Sequence, residues 1–167
     1  RKGLVLFDTG QDRASVTDRN YFPRGPLRLA YSRLARFEIG EGDTLAGQLA
    51  SIGYDIADVS TVILSHLHQD HIGGLGELTH ARIFVSADEW ESLTRPNPAL
   101  RGLLKNHIDL PDLQWTRIEP HELGTDALLP FTTGQDVFDD GSLVLLPTPG
   151  HTPGSISLLV RRADHPP

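Results

Sequence analysis

Short apolar runs recur along the chain, and each is closed by a cluster of polar residues or glycines. Leu4-Val5-Leu6-Phe7 runs into Asp8-Thr9-Gly10 and reads as a buried strand ended by a turn. Residues 11 to 42 hold no sustained period: Asp, Asn, Pro and Gly punctuate them, so the segment reads as an insertion or mobile loop. From Asp43 the pattern sharpens, with Leu45, Leu49 and Ile52 at helical spacing behind an Asp43/Thr44 cap and Gly53 at the stop. Thr61 to Leu64 is a β-branched apolar strand that leads directly into Ser65-His66-Leu67-His68-Gln69-Asp70-His71. Gly73-Gly74 permits a tight turn, Arg82 to Val85 reads as the next strand, and Ser86 with Glu89 reads as a capping box opening a helix through Trp90 and Leu93.

Three prolines between residues 95 and 111 predict short helical pieces, and Leu113 to Ile118 a strand. Asp139-Asp140-Gly141 is a turn signal. Leu143 to Leu146 and Ile156 to Val160 read as strands bridged by Thr148-Pro149-Gly150-His151-Thr152-Pro153-Gly154. Strands and helices interleave through irregular connections, which predicts an α+β domain, a mixed sheet flanked by helices, over residues 1–167.

Composition narrows the chemistry. With 38% hydrophobic and 22% charged residues, 167 residues suffice for one core. The absence of cysteine excludes thiolate zinc sites and cysteine nucleophiles, so any metal here is held by nitrogen and oxygen. A net charge of -7 repels phosphate backbones and anionic membranes. No apolar run approaches the roughly 20 residues of a membrane span, and no signal peptide is visible. The expectation is a soluble, cytoplasmic protein without nucleic-acid or membrane partners. The sequence has no Met and opens on Arg1-Lys2-Gly3 at the edge of a strand, so a portion of a longer protein is expected.

The dominant chemical signal is His66-x-His68-x-Asp70-His71. Residues two apart on an extended segment point to one side, so His66 and His68 can present imidazoles to one cation. The following turn aims Asp70 and His71 at a different point, and two neighbouring metals fit this better than one. His151 is the best third imidazole: Pro149 restricts Thr148, and Gly150 permits close backbone approach. Histidine and carboxylate ligands suit zinc first, with manganese, iron or cobalt as substitutes. Asp8 is either an acceptor that orients a ligand imidazole or a plain strand-end residue. Asp8-Thr9-Gly10 also fits an aspartic protease turn, but that chemistry needs a second such carboxylate and leaves the histidines unexplained. His80, His107, His121 and His165 lack partnering spacing and read as surface or loop residues. Trp90 and Trp115 read as packing; Tyr21, Phe22 and Phe37 either line an acyl-chain groove or pack in the ordinary way.

On these motifs, Phe7 to Val160 resembles the metallo-β-lactamase superfamily. The resemblance rests on Asp8-Thr9-Gly10, on His66 to His71, and on Thr148-Pro149-Gly150-His151. It implies an αβ/βα four-layer sandwich with a binuclear site at one edge between two sheets. His66, His68 and His151 would bind one metal, and Asp70 and His71 the other. Over the same loops the chain looks most like the N-acyl homoserine lactone lactonases; glyoxalase II, organophosphate hydrolases and other esterases are similar there too. The implied reaction is hydrolysis of an ester-like bond, favouring a lactone, by hydroxide held between two divalent ions, with Asp70 also handling a proton. The alternatives are a glyoxalase II-type thioesterase, a phosphotriesterase, or a non-catalytic metal-binding fragment. A small ester or lactone is the expected partner, and the oligomeric state stays open. The family's later Gly-Asp, its final histidine and the lactonases' tyrosine have no match here, and Asp164-His165 reads as a hairpin turn. An enzyme incomplete at both ends is therefore expected.

Overall fold

The computed structural model describes residues 3–34, 38–124 and 129–161. In chain order its elements are β1 (Leu4–Phe7), α1 (Ala14–Thr17), α2 (Pro26–Leu34), α3 (Leu45–Ser51), β2 (Val59–Ile63), β3 (Arg82–Ser86), α4 (Ala87–Thr94), α5 (Lys105–Ile108), β4 (Gln114–Ile118), β5 (His121–Glu122), β6 (Thr133–Asp136), β7 (Leu143–Pro147) and β8 (Ile156–Val160). The strands form two sheets of four, ordered β1-β2-β3-β4 and β5-β6-β7-β8. All pairs in the first sheet are parallel, and all in the second antiparallel. Parallel neighbours need long crossovers whereas antiparallel ones accept short turns. The interleaved elements before β4 and the Gly-Asp turns after it therefore sort into separate sheets rather than one mixed sheet.

Side-chain alternation explains the layering. Val62 on β2 and Ile83 and Val85 on β3 face a core shared with Leu49, Leu75, Leu93 and Ile108 from the helical side. Their neighbours Ile63 and Phe84 face the opposite way, meeting Leu145 and Ile156 of the second sheet. Strands covered on both faces read as continuous apolar runs, and β2 and β3 do so. Each fully buried aliphatic side chain contributes roughly 1.5–3 kcal/mol, so this double burial dominates the stability of the parallel sheet. The order is helices, parallel sheet, antiparallel sheet; every α-helix among the described residues precedes β4. None of these helices is long and apolar enough to cross a membrane.

Several local expectations change. The segment read as an insertion or mobile loop folds as α1 and α2, and buries Tyr21, Phe22 and Tyr31 against Leu104 in a small core of its own. The Tyr31 hydroxyl donates to the Ala99 carbonyl at 2.7 Å, which ties the segment to the 95–111 connection. In α3 the Thr44 hydroxyl caps the Gly47 amide as expected, but Ile52 lies past the helix end and is 68% exposed. β1 is an edge strand, so it is only half-buried and Phe7 is exposed. Ser86 occupies the N-cap of α4 without a side-chain hydrogen bond, and the Glu89 carboxylate turns away from the helix start altogether. β6 is polar in sequence, Thr-Gly-Gln-Asp, and is a strand because β7 supplies its backbone partners.

The parallel strands β1 and β2 end at the edge where the β7–β8 turn arrives. There Asp8 N–H donates to the Ile63 carbonyl at 2.8 Å, and Ile156 N–H to the Ser65 carbonyl at 2.9 Å. Three chain segments bearing the candidate residues are thus laced together by backbone alone.

Candidate metal centre

Asp8 sits just past β1 in the left-handed region, φ 64°, and this conformation turns its carboxylate toward the end of β2. One oxygen accepts the Ser65 amide at 2.7 Å; the other accepts the Ser65 hydroxyl at 2.8 Å and His71 Nδ1 at 2.9 Å. A carboxylate oxygen in these contacts only accepts, so His71 carries its proton on Nδ1 and leaves Nε2 bare. That bare nitrogen lies 3.5 Å from an Asp70 oxygen. The Ser65 hydroxyl has one proton and gives it to Asp8, so it accepts from His66 Nδ1 at 2.9 Å. His66 Nε2 is bare too. It is buried and has no hydrogen-bond partner.

His68 is fixed from the other side. Its Nε2 lies 2.9 Å from the Arg101 carbonyl, which can only accept, so the remaining lone pair belongs to Nδ1. The Arg101 guanidinium binds the carbonyls of Ser92 and Pro96, holding the loop that offers this acceptor. The next residue must be glycine: Gly102 has φ 84°, and a Cβ there would stand 2.6 Å from His68 Cδ2.

His151 arrives on the β7–β8 loop, stabilised by Thr148 N–H on the Ser155 carbonyl at 2.9 Å and by a 2.7 Å bond between the Thr152 and Ser155 hydroxyls. Its Nε2 faces His68 Nδ1 at 2.9 Å. The His66 ring centre lies 4.7 Å from His68, 4.9 Å from His151 and 4.0 Å from His71.

These nitrogens suit a cation. The ligating atoms of His66, His68 and His151 lie within 4.8 Å of one another, against roughly 3.3 Å in a tetrahedral site with zinc–nitrogen bonds of 2.0–2.1 Å. A buried ring nitrogen without a partner costs about 1–3 kcal/mol, and a metal bond uses that lone pair. His66, His68 and His71 each commit one nitrogen to a hydrogen bond within the protein and keep the other bare, the arrangement that fixes tautomer and aim in metal sites. Burial pushes the His66 pKa down to about 4, with repulsion from His71, His68 and His151 adding to it and Asp8 opposing. His71 is shifted up, chiefly by its hydrogen bond to Asp8; burial opposes, while the Asp8 and Asp70 charges add to the rise. The donor set is nitrogen and carboxylate oxygen, consistent with a divalent transition metal. A cavity of about 290 Å³ opens beside His68 and His151, walled by Arg95, Arg101, Leu103 and Pro153.

All five residues singled out from sequence lie here: His66, His68 and His151 as one group, Asp70 and His71 adjoining it. Asp8 is the orienting acceptor rather than a plain turn residue, and both its oxygens serve Ser65 and His71, so no aspartic-protease carboxylate pair forms among the described residues. The other histidines go elsewhere. His80 Nε2 bonds the Ile56 carbonyl, His107 Nε2 the Tyr21 carbonyl with its ring stacked on Tyr21 at 4.0 Å, and His121 is exposed on β5. Trp90 packs on Trp115 at 4.8 Å, and Tyr21 and Phe22 pack with Tyr31. Phe37, Asp164 and His165 lie outside the described residues. Sequence reasoning missed Ser65, whose position between strand and first histidine was its only signal, and the Arg101 carbonyl, which has none.

Residues 1–165 match the family model described as the Metallo-beta-lactamase superfamily. The chain is 37% identical over 121 residues to the N-acyl homoserine lactonase AttM of Rhizobium radiobacter, covering 72% of this chain and 43% of that protein. It is 30% identical over 159 residues to an N-acyl homoserine lactonase of a Bacillus species, covering 95% and 54%. A solved N-acyl homoserine lactone hydrolase with N-hexanoyl-L-homoserine at its catalytic metal centre superposes with a TM-score of 0.70 at 28% identity, over 98% of this chain and 56% of that one. The chain spans about half the length of the curated relatives it matches. The fold implies divalent metal, and the clustered imidazoles offer it a place. The chain belongs to the metallo-β-lactamase superfamily.

Proposed function

We propose that this chain forms the metal-bearing part of a hydrolase that opens a lactone ring, with an N-acyl homoserine lactone the favoured substrate. His66 Nε2, His68 Nδ1 and His151 Nε2 hold one divalent ion, and Asp70 with His71 Nε2 hold a second, zinc being preferred. The observation that carries the reading is His66 Nε2: a buried, unpartnered nitrogen facing two further imidazoles has a use only when a cation takes its lone pair. Such cations supply a water nucleophile near neutral pH and polarise the carbonyl under attack.

The chain's own residues do the positioning. Asp8 fixes the His71 tautomer and, through Ser65, that of His66. The Arg101 carbonyl does the same for His68. Asp70 is exposed, so its carboxylate can also take a proton from solvent or from the reacting group. The cavity beside His68 and His151 offers space for a small ring and the start of an acyl chain against Leu103 and Pro153. Opening the ring of a diffusible acyl homoserine lactone would silence it as a signal, which is quorum quenching.

Rates on N-hexanoyl homoserine lactone, a glutathione thioester and an aryl phosphotriester, measured side by side on the zinc-loaded full chain, test the reading. A kcat/KM for the lactone at least about tenfold above the others is expected, and chelation should abolish it until zinc is returned. A lead for the thioester or the phosphotriester would overturn the lactone assignment in favour of those alternatives.

A further inference from the structure

The Glu89 carboxylate is fully buried, 0% exposed, on a helix that supplies no metal ligand. Its position after Ser86 fits a capping box, yet it makes no such bond. One oxygen accepts the Leu67 amide at 3.1 Å and the other the Gly154 amide at 3.2 Å. Leu67 lies between His66 and His68, and Gly154 lies three residues after His151. The two loops come from different sheets, and this one side chain bridges them. The backbone approach is equally close: a Cβ at Gly154 would overlap the Glu89 amide nitrogen, so only glycine lets the His151 loop seat on α4.

Burying a carboxylate is costly unless hydrogen bonds compensate it, and a neutral glutamine of the same shape would avoid that cost. Glutamine, however, has one acceptor oxygen and one NH2 donor, so it cannot accept from two amides that both point at it. Two backbone donors thus select the anion. The anion also adds negative charge beside a site whose imidazoles are neutral ligands.

We propose that Glu89 is a further positioning residue of the metal centre, an anionic clamp that sets the spacing of His151 relative to His66 and His68 before a cation arrives. The proposal rests on the metal-centre reading above, and its test separates the two.

In the full-length protein, Glu89→Gln should weaken zinc binding, measured by chelator competition, by about tenfold to a hundredfold. With cobalt as probe, its visible absorption should change in position and intensity, because ligand geometry changes while the ligands do not. Glu89→Asp keeps the charge but is one methylene too short to span both amides, and should fall between Gln and wild type. Unchanged affinity and an unchanged cobalt spectrum in Glu89→Gln would overturn the proposal.

Hydrogen exchange on the metal-free wild type needs no variant to fold: the Leu67 and Gly154 amides should be protected together, and rapid exchange of both would overturn the clamp. Protected amides in a protein that binds neither zinc nor cobalt would instead sink the metal reading and leave the clamp standing.

Discussion

The two loops that carry the histidines are built differently. The loop after β2 is anchored at every step: Asp8 holds Ser65 and His71, and the Thr9 amide and hydroxyl both donate to the His71 carbonyl. Gly73 N–H donates to the Gly10 carbonyl at 2.7 Å and Gly74 N–H to the Thr9 hydroxyl at 3.1 Å. His66 is buried and its ring cannot reorient without breaking the Ser65 bond. The β7–β8 loop is held mainly by its own short-range bonds, and His151 is exposed at its tip. One side of the site is therefore held by bonds along the whole of its loop, and the other is tied to it at a few points only. Glu89, the Ile156–Ser65 backbone bond and the His68–His151 contact join them.

This contrast orders the expected effects of substitution. His66→Ala removes the buried imidazole of the proposed ligand set and should abolish stoichiometric zinc and turnover together; metal analysis and a lactone assay check both. His151→Ala removes the exposed imidazole of the proposed set and leaves His66, His68, Asp70 and His71 in place, so weakened but measurable zinc binding should survive. Equal loss in both variants would show that the two loops contribute alike to metal binding.

Asp8→Asn keeps the shape but offers an amide NH2 where Ser65 and His71 need an acceptor. It should cost about tenfold to a hundredfold in metal affinity, read by chelator competition. Gly73→Ala tests the packing under the first loop, because the new Cβ would overlap the backbone of Gln11 and Asp12. A loss of about 3 kcal/mol in denaturant unfolding is expected. The smallest effect belongs to Ser155→Ala, which removes the hydroxyl that bonds both the Thr152 amide and the Thr152 hydroxyl and should cost about 1 kcal/mol of stability with a few-fold change in metal affinity at most.

The sequence was informative where a local pattern and a tertiary role coincide. β2 and β3 are buried on both faces, so their apolar runs announced them, and the spacing His66-x-His68-x-Asp70-His71 announced a cluster of imidazoles beside a carboxylate. It was least informative where long-range partners decide. Glu89 satisfies the local pattern of a capping box, and nothing near it signals that two amides 22 and 65 residues away claim its oxygens. Residues 11 to 34 lack a period because their aromatic residues bury against Leu104 rather than along one helix face. β6 carries no strand composition and depends on β7 for its backbone bonds.

Under the proposed function, His66 Nε2, His68 Nδ1 and His151 Nε2 serve one cation, which takes the place of the proton shared between His68 and His151. Crystals of the full-length protein grown with zinc, with anomalous scattering measured at the zinc edge, test it directly. A strong peak bonded to His66 Nε2, His68 Nδ1 and His151 Nε2 is expected, with a second beside Asp70 and His71 Nε2. Zinc bound at other residues, with those three nitrogens uncoordinated, would contradict it.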